Sequence, residues 1–135
     1  MSPPPADALL IRVYYEDTDF SGRVYHASYL RYLERGRTEW LRARGFAHRE
    51  LAETSGVAFA VRSMQIEFLG PALMDDLLRV ETSIAKAGGA SIEFRQQVLC
   101  GETELIAATV KVAAIRDGRP VRIPLSLRRL LKTPS

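Results

Sequence analysis

Cysteine is nearly missing from this chain: Cys100 is the only one among 135 residues, so no intrachain disulfide can form and nothing points to an oxidising compartment. Histidine is almost as scarce. With His26 and His48 beside a single thiol, a dedicated zinc site lacks donors, and no metal or other cofactor is expected. Long apolar runs are absent as well. No stretch approaches the roughly 18 residues of a membrane span, and the early run Ala8 to Ile11 is too short for a signal peptide and follows no basic segment. A cytoplasmic protein is the expectation. Charge of one sign is not in large excess either: 19 Lys and Arg face 16 Asp and Glu, a net +3 that suits an anionic ligand but does not by itself argue for nucleic acid. Finally, no repeat, linker or low-complexity tract divides the chain. A single domain over residues 1–135 follows, with the proline-bearing residues 1–7 as a lead-in.

What is present is an ordinary globular balance, 47% hydrophobic and 26% charged. After the lead-in, Leu9 to Tyr15 is rich in Ile, Val and Tyr and reads as a short strand. The polar stretch EDTDFSGRVYH reads as a loop. From Ala27 to Arg44, Tyr29, Leu33, Gly36, Trp40 and Ala43 recur at spacings of three and four, the pattern of one amphipathic helix. Gly36 inside it costs about 1 kcal/mol relative to Ala, which suggests that a strand approaches closely there. A shorter helix is expected at His48 to Thr54, then strands at Phe59–Phe68, Leu77–Ala87, Ser91–Leu99 and Glu104–Arg116, and a terminal helix at Leu125–Leu131. In the third strand, Leu78, Val80, Thr82 and Ile84 alternate with Arg79, Glu81 and Ser83, as in an antiparallel strand with one buried face. The class is therefore α+β, a five-stranded antiparallel sheet curled around one long helix. Trp40 and Phe46 are read as core aromatics, and His48 as a surface residue.

Glu16, Asp17 and Asp19 crowd the loop just ahead of the long helix. They are compatible with solvated loop acids that complement the positive helix terminus. Asp17, Asp19, Ser21 and Gly22 also match the first half of a calcium loop, but Ser28 stands where the bidentate glutamate belongs, and the flanks read strand and helix rather than two helices. The third reading is catalytic. A carboxylate beside a helix N-terminus can attack a carbonyl, or activate water against it, while free backbone N–H groups near Tyr25 and His26 stabilise the carbonyl oxygen.

The segment YYEDTDFSGRVYHASYLRYLERGRTEWL resembles the active-site stretch of the 4-hydroxybenzoyl-CoA thioesterase family, in particular its bacterial branch of acyl-CoA thioesterases associated with the Tol-Pal system. Tyr15, Asp17, Asp19, Gly22, Val24, Tyr25, His26, Tyr29, Glu34 and Arg37 carry the match, and a weaker likeness continues over about the first hundred residues. The resemblance implies a hotdog fold, hydrolysis of acyl-CoA, Asp19 as nucleophile or general base, and the His26 backbone N–H as the group polarising the thioester. Tyr25 joins that catalytic set, and Gly22, Val24 and Tyr29 are expected to line the substrate site. It further implies a homodimer or homotetramer, in accord with the exposed sheet edge of a lone copy, and cell-envelope or lipid-metabolism protein partners.

The chain departs from the family at Phe20, Ser21 and Arg23, and at Gly88 and Gly89, which occupy a turn that is basic in the 4-hydroxybenzoyl enzyme. Arg62, Lys86 and Ser91, near strand ends, are the replacements expected to hold coenzyme A phosphates. The alternative to an enzyme is a hotdog shell that binds acyl-CoA without turnover. The arginines at 116, 119, 122, 128 and 129 are read as a solvated or partner-facing rim, since a nucleic-acid patch would want interleaved aromatics.

Overall fold

The computed structural model describes residues 8–132, so the lead-in expected at 1–7 lies outside the described residues. Strand β1 (Ala8–Arg12) is followed by a 3-10 turn at Tyr15–Asp17, helix α1 (His26–Ala43) and helix α2 (His48–Ser55). Four long strands come next: β2 (Ala58–Phe68), β3 (Leu77–Ala87), β4 (Ser91–Cys100) and β5 (Thr103–Arg116). A two-residue strand β6 (Arg119–Pro120) and helix α3 (Leu125–Lys132) complete the described chain. The first strand is shorter than its composition suggests. Asp17 reaches back to accept the Tyr14 N–H at 2.9 Å, and this side-chain bond closes the turn in place of further sheet pairing.

The main strands run antiparallel in the order β1-β3-β4-β5-β2, with β6 paired to β5. The expected alternation holds. Leu78, Val80 and Thr82 of β3, and Ile92, Phe94, Gln96 and Val98 of β4, are buried against α1, and Trp40 packs edge-on to Phe94 at 5.8 Å between ring centroids. Phe46 packs against the same core. His48 is exposed, with its ring toward Phe59.

Gly36 is where helix and sheet come closest. A Cβ there would lie 2.8 Å from Val80 Cγ1 and 3.0 Å from both Gln96 Nε2 and Thr82 Oγ1. The same contact carries a buried polar network. The Gln96 amide nitrogen donates to the Leu33 carbonyl and to Thr82 Oγ1, each at 2.9 Å, while its oxygen accepts from Arg37 at 3.0 Å. Arg37 is only 7% exposed, and burial lowers its pKa from the ordinary value. An isolated buried cation is expensive, so Gln96 both fixes α1 on the sheet and solvates Arg37.

Candidate active site

The acidic loop is built so that its three functional parts cannot drift apart. The Asp17 carboxylate, besides holding Tyr14, meets Arg31 of α1 at 3.2 Å. The Asp17 carbonyl accepts the Tyr25 N–H at 3.0 Å and the Ser28 hydroxyl at 3.2 Å. Thr18 and Val24 pair as an isolated bridge, and the Asp19 N–H donates to the Arg23 carbonyl at 2.9 Å. Asp19 is thereby set at the mouth of a tight loop that leads straight into α1. Gly22 turns this loop with φ +82, a backbone region that side-chain-bearing residues rarely occupy.

Asp19 is exposed and uses one oxygen locally. Its Oδ1 accepts both the Ser21 N–H at 2.8 Å and the Ser21 hydroxyl at 2.5 Å, and neither bond involves Oδ2. The Ser21 hydroxyl, then the Ser21 N–H, and more weakly Arg23 hold the carboxyl below its ordinary pKa, so it is ionised at neutral pH. The two aspartates of the partial calcium pattern thus point to separate partners, Asp17 to Tyr14 and Arg31, Asp19 to Ser21. Among the described residues no cluster of three or more metal-ligating side chains occurs.

Tyr25 is the N-cap of α1 and makes no side-chain capping bond. Because its N–H goes to Asp17, the donor that remains from the expected pair is the His26 N–H. It and the next amide, at Ala27, are first-turn groups that the helix itself leaves without a carbonyl. The imidazole of His26 stacks on Phe68 with ring centroids 4.3 Å apart and an interplanar angle of 26°. Tyr29 lies edge-on to Phe68 at 6.0 Å, and its hydroxyl accepts the Ala72 N–H at 3.0 Å. Burial, ahead of the nearby Asp76 charge, pushes the Tyr29 pKa up, which makes it a neutral structural anchor rather than an acid.

These groups enclose a cleft of about 530 Å³. Asp19, Ser21, Arg23, Tyr25, His26 and the buried Val24 and Tyr29 form one side, and Phe68 to Pro71 form the other. Gly22 shapes the loop without lining the cleft. Arg62, Lys86 and Ser91 are not brought to it: Arg62 sits at a bulge between Val61 and Ser63, six residues and about 20 Å of extended strand from Phe68. Lys86 and Ser91 flank the β3–β4 turn. Phe68, Leu69, Gly70 and Pro71 are the lining that sequence reasoning missed. The strand expected at Phe59–Phe68 ends here, but nothing local in the sequence shows that this end meets α1. A larger hollow of about 730 Å³ lies on the sheet, among Gln65, Glu67, Arg95 and Gln97, and its lining comes from β2, β4 and β5 alone.

An antiparallel sheet curled on one long helix, with a carboxylate loop running into the helix N-terminus, defines a hotdog-fold protein. A Thioesterase superfamily model matches residues 21–107, beginning just past Asp19. The chain is 44% identical over 120 residues to the acyl-CoA thioesterase YbgC of Haemophilus influenzae, covering 87% of this chain and 88% of that protein. It is 46% identical over 96 residues to the acyl-CoA thioester hydrolase YbgC of Escherichia coli O6:H1, covering 71% of each. The crystal structure of a probable thioesterase from Bartonella henselae superposes with a TM-score of 0.84 at 45% identity, covering 87% of this chain and 98% of that one. The chain belongs to the thioesterase superfamily.

Proposed function

We propose that this protein hydrolyses acyl-CoA thioesters, with Asp19 as the reacting carboxylate and the His26 N–H as the oxyanion donor. The observation that carries this reading is the ionised Asp19 carboxylate placed in the same cleft as the open first turn of α1. The thioester carbonyl takes the His26 N–H, whose helix terminus favours the negative charge that develops on oxygen. Asp19 then acts in one of two balanced ways. Either Oδ2 forms a bond to the acyl carbon and expels the CoA thiolate, and water cleaves the resulting anhydride. Or the carboxylate takes a proton from water as that water attacks, and the thiolate leaves with the proton. No cofactor enters either route. Thiol release from short-chain, long-chain and aromatic acyl-CoAs tests the reading. Turnover of at least one thioester supports it; binding of acyl-CoA without release across the panel replaces it with the non-catalytic shell.

Two results follow from the site's geometry. Phe68→Ala removes a half-exposed ring from the cleft wall, apolar area that a bound acyl group would cover at about 25 cal/mol per Å². KM is expected to rise up to about tenfold with kcat changed far less, because the carboxylate loop is untouched; an unchanged KM would remove Phe68 from the substrate wall. Ser21→Ala deletes the first of the donors that depress the Asp19 pKa. Since the carboxylate is the active form and its folded pKa is lowered, activity persists to acid pH in wild type. The acid limb of the kcat/KM profile should move to higher pH in the variant, and a shift in the opposite direction would contradict the assigned role.

Among the described residues, edge strand β2 has β5 on one side and no strand on the other, and it carries exposed Val61 and Phe68. Such an edge favours pairing with a second copy, which fits a dimer or tetramer. Sedimentation velocity reads this directly, and a monomer at micromolar concentration would count against it.

A further inference from the structure

We propose that the C-terminal segment 116–132 docks this protein on an anionic lipid surface. Charge is the first observation. Six of the chain's 19 cations, Arg116, Arg119, Arg122, Arg128, Arg129 and Lys132, fall here against one anion, Asp117. The rest of the chain holds 13 cations and 15 anions, so the net +3 of the whole molecule is a +5 segment attached to a −2 body. This segment also lies beyond residue 107, where the family match ends.

Placement is the second observation. The segment is fixed to the body: Ile123 and Leu127 are 1% and 0% exposed, and the Ile123 N–H donates to the Gly89 carbonyl at 2.8 Å. Arg128 Nε bonds the Ile123 carbonyl at 2.9 Å, which pins the start of α3. With Leu127 and Leu131 turned inward, the helical repeat puts Leu125 and Arg129, four residues apart, on the opposite side. Leu125 is 51% exposed and Leu130 36%, and Arg119 and Arg122 of the same segment are exposed as well. Cations with leucines among them are the signature of a helix lying in a headgroup layer, its charges drawn to anionic lipid and its apolar side chains reaching the acyl boundary. Nucleic acid shares the charge preference but not the rest. No aromatic residue follows Phe94 in the sequence, so the segment offers no surface on which bases can stack.

The test is co-sedimentation of the full chain with vesicles of phosphatidylcholine alone and of phosphatidylcholine mixed with phosphatidylglycerol. Wild type is expected to bind the mixed vesicles, to ignore the neutral ones, and to release as salt is raised. The variants are Arg119→Glu with Arg122→Glu, and separately Leu125→Gln with Leu130→Gln, each checked for an unchanged melting transition. Both should weaken binding about tenfold or more, and the leucine pair should leave thiol release in solution unchanged. Absence of binding to mixed vesicles at low salt, or equal binding to neutral ones, overturns the proposal. So does binding that the arginine pair abolishes and the leucine pair does not, if duplex nucleic acid is bound as well: that pattern belongs to a polyanion site.

Discussion

Asp19→Asn should lower kcat/KM for any accepted acyl-CoA by about a hundredfold or more, the loss expected on removing a principal catalytic group. The substitution keeps size and shape. An amide oxygen at Oδ1 still accepts from Ser21, which makes the two bonds that hold the loop, so the cleft and the melting transition should persist. What disappears is the charge: an amide neither attacks a thioester nor takes a proton from water. KM should change little, since the His26 N–H and the Phe68 wall are untouched. Equal activity in the variant would show that Asp19 is not the reacting group and would favour the non-catalytic shell.

Gly36→Val should destabilise the protein by about 3 kcal/mol or more, a large part of the roughly 5–15 kcal/mol that holds a domain together. The added Cβ alone would stand 2.8 Å from Val80 Cγ1 and 3.0 Å from the polar atoms of Gln96 and Thr82. Overpacking of this kind costs about 1–3 kcal/mol. The helix has no free direction to yield in, because moving it off the sheet breaks the Gln96 bonds to Leu33 and to buried Arg37, and a bond to a charged group is worth about 1.5–3 kcal/mol. Valine's better helix propensity returns only a few tenths. The urea midpoint should fall with little change in slope; a loss under about 1 kcal/mol would mean that α1 and the sheet are less tightly joined than their geometry implies.

The order of elements was readable because β3 and β4 each have one buried face and therefore an alternating pattern, and because α1 buries a stripe of its surface. Helix α1 was expected from Ala27 and begins at His26, and β3 runs as expected over Leu77–Ala87. Where local chemistry competes with propensity, the reading failed. Tyr14 and Tyr15 favour strand, yet the Asp17 carboxylate turns them into a cap and a 3-10 turn. Strand β6 has two residues and no pattern to read. The carboxylate side of the cleft was legible because Asp19, Gly22 and His26 lie within one short stretch. Its other side was not, since Phe68 reaches His26 only through the curl of the whole sheet, across forty-two positions of chain. Glutamine 96 fell on the inward face of its strand by alternation alone; its use as the solvating partner of Arg37 depends on that same long-range contact.

The strand order has a kinetic consequence. Strand β2 finds its partner not in the neighbouring β3 but in β5, through pairs such as Phe68 with Ile106. On a growing or refolding chain, bonds such as Asp19 N–H to the Arg23 carbonyl span only a few residues, whereas the pairing of β2 waits for residues 103–116. Closing that distant pairing carries the loop-closure entropy that makes non-local sheets slow to form. The wall that Phe68 contributes is thus assembled among the last parts of the molecule, and a nascent chain that has emerged only through β4 has the residues of the carboxylate loop but not yet a cleft.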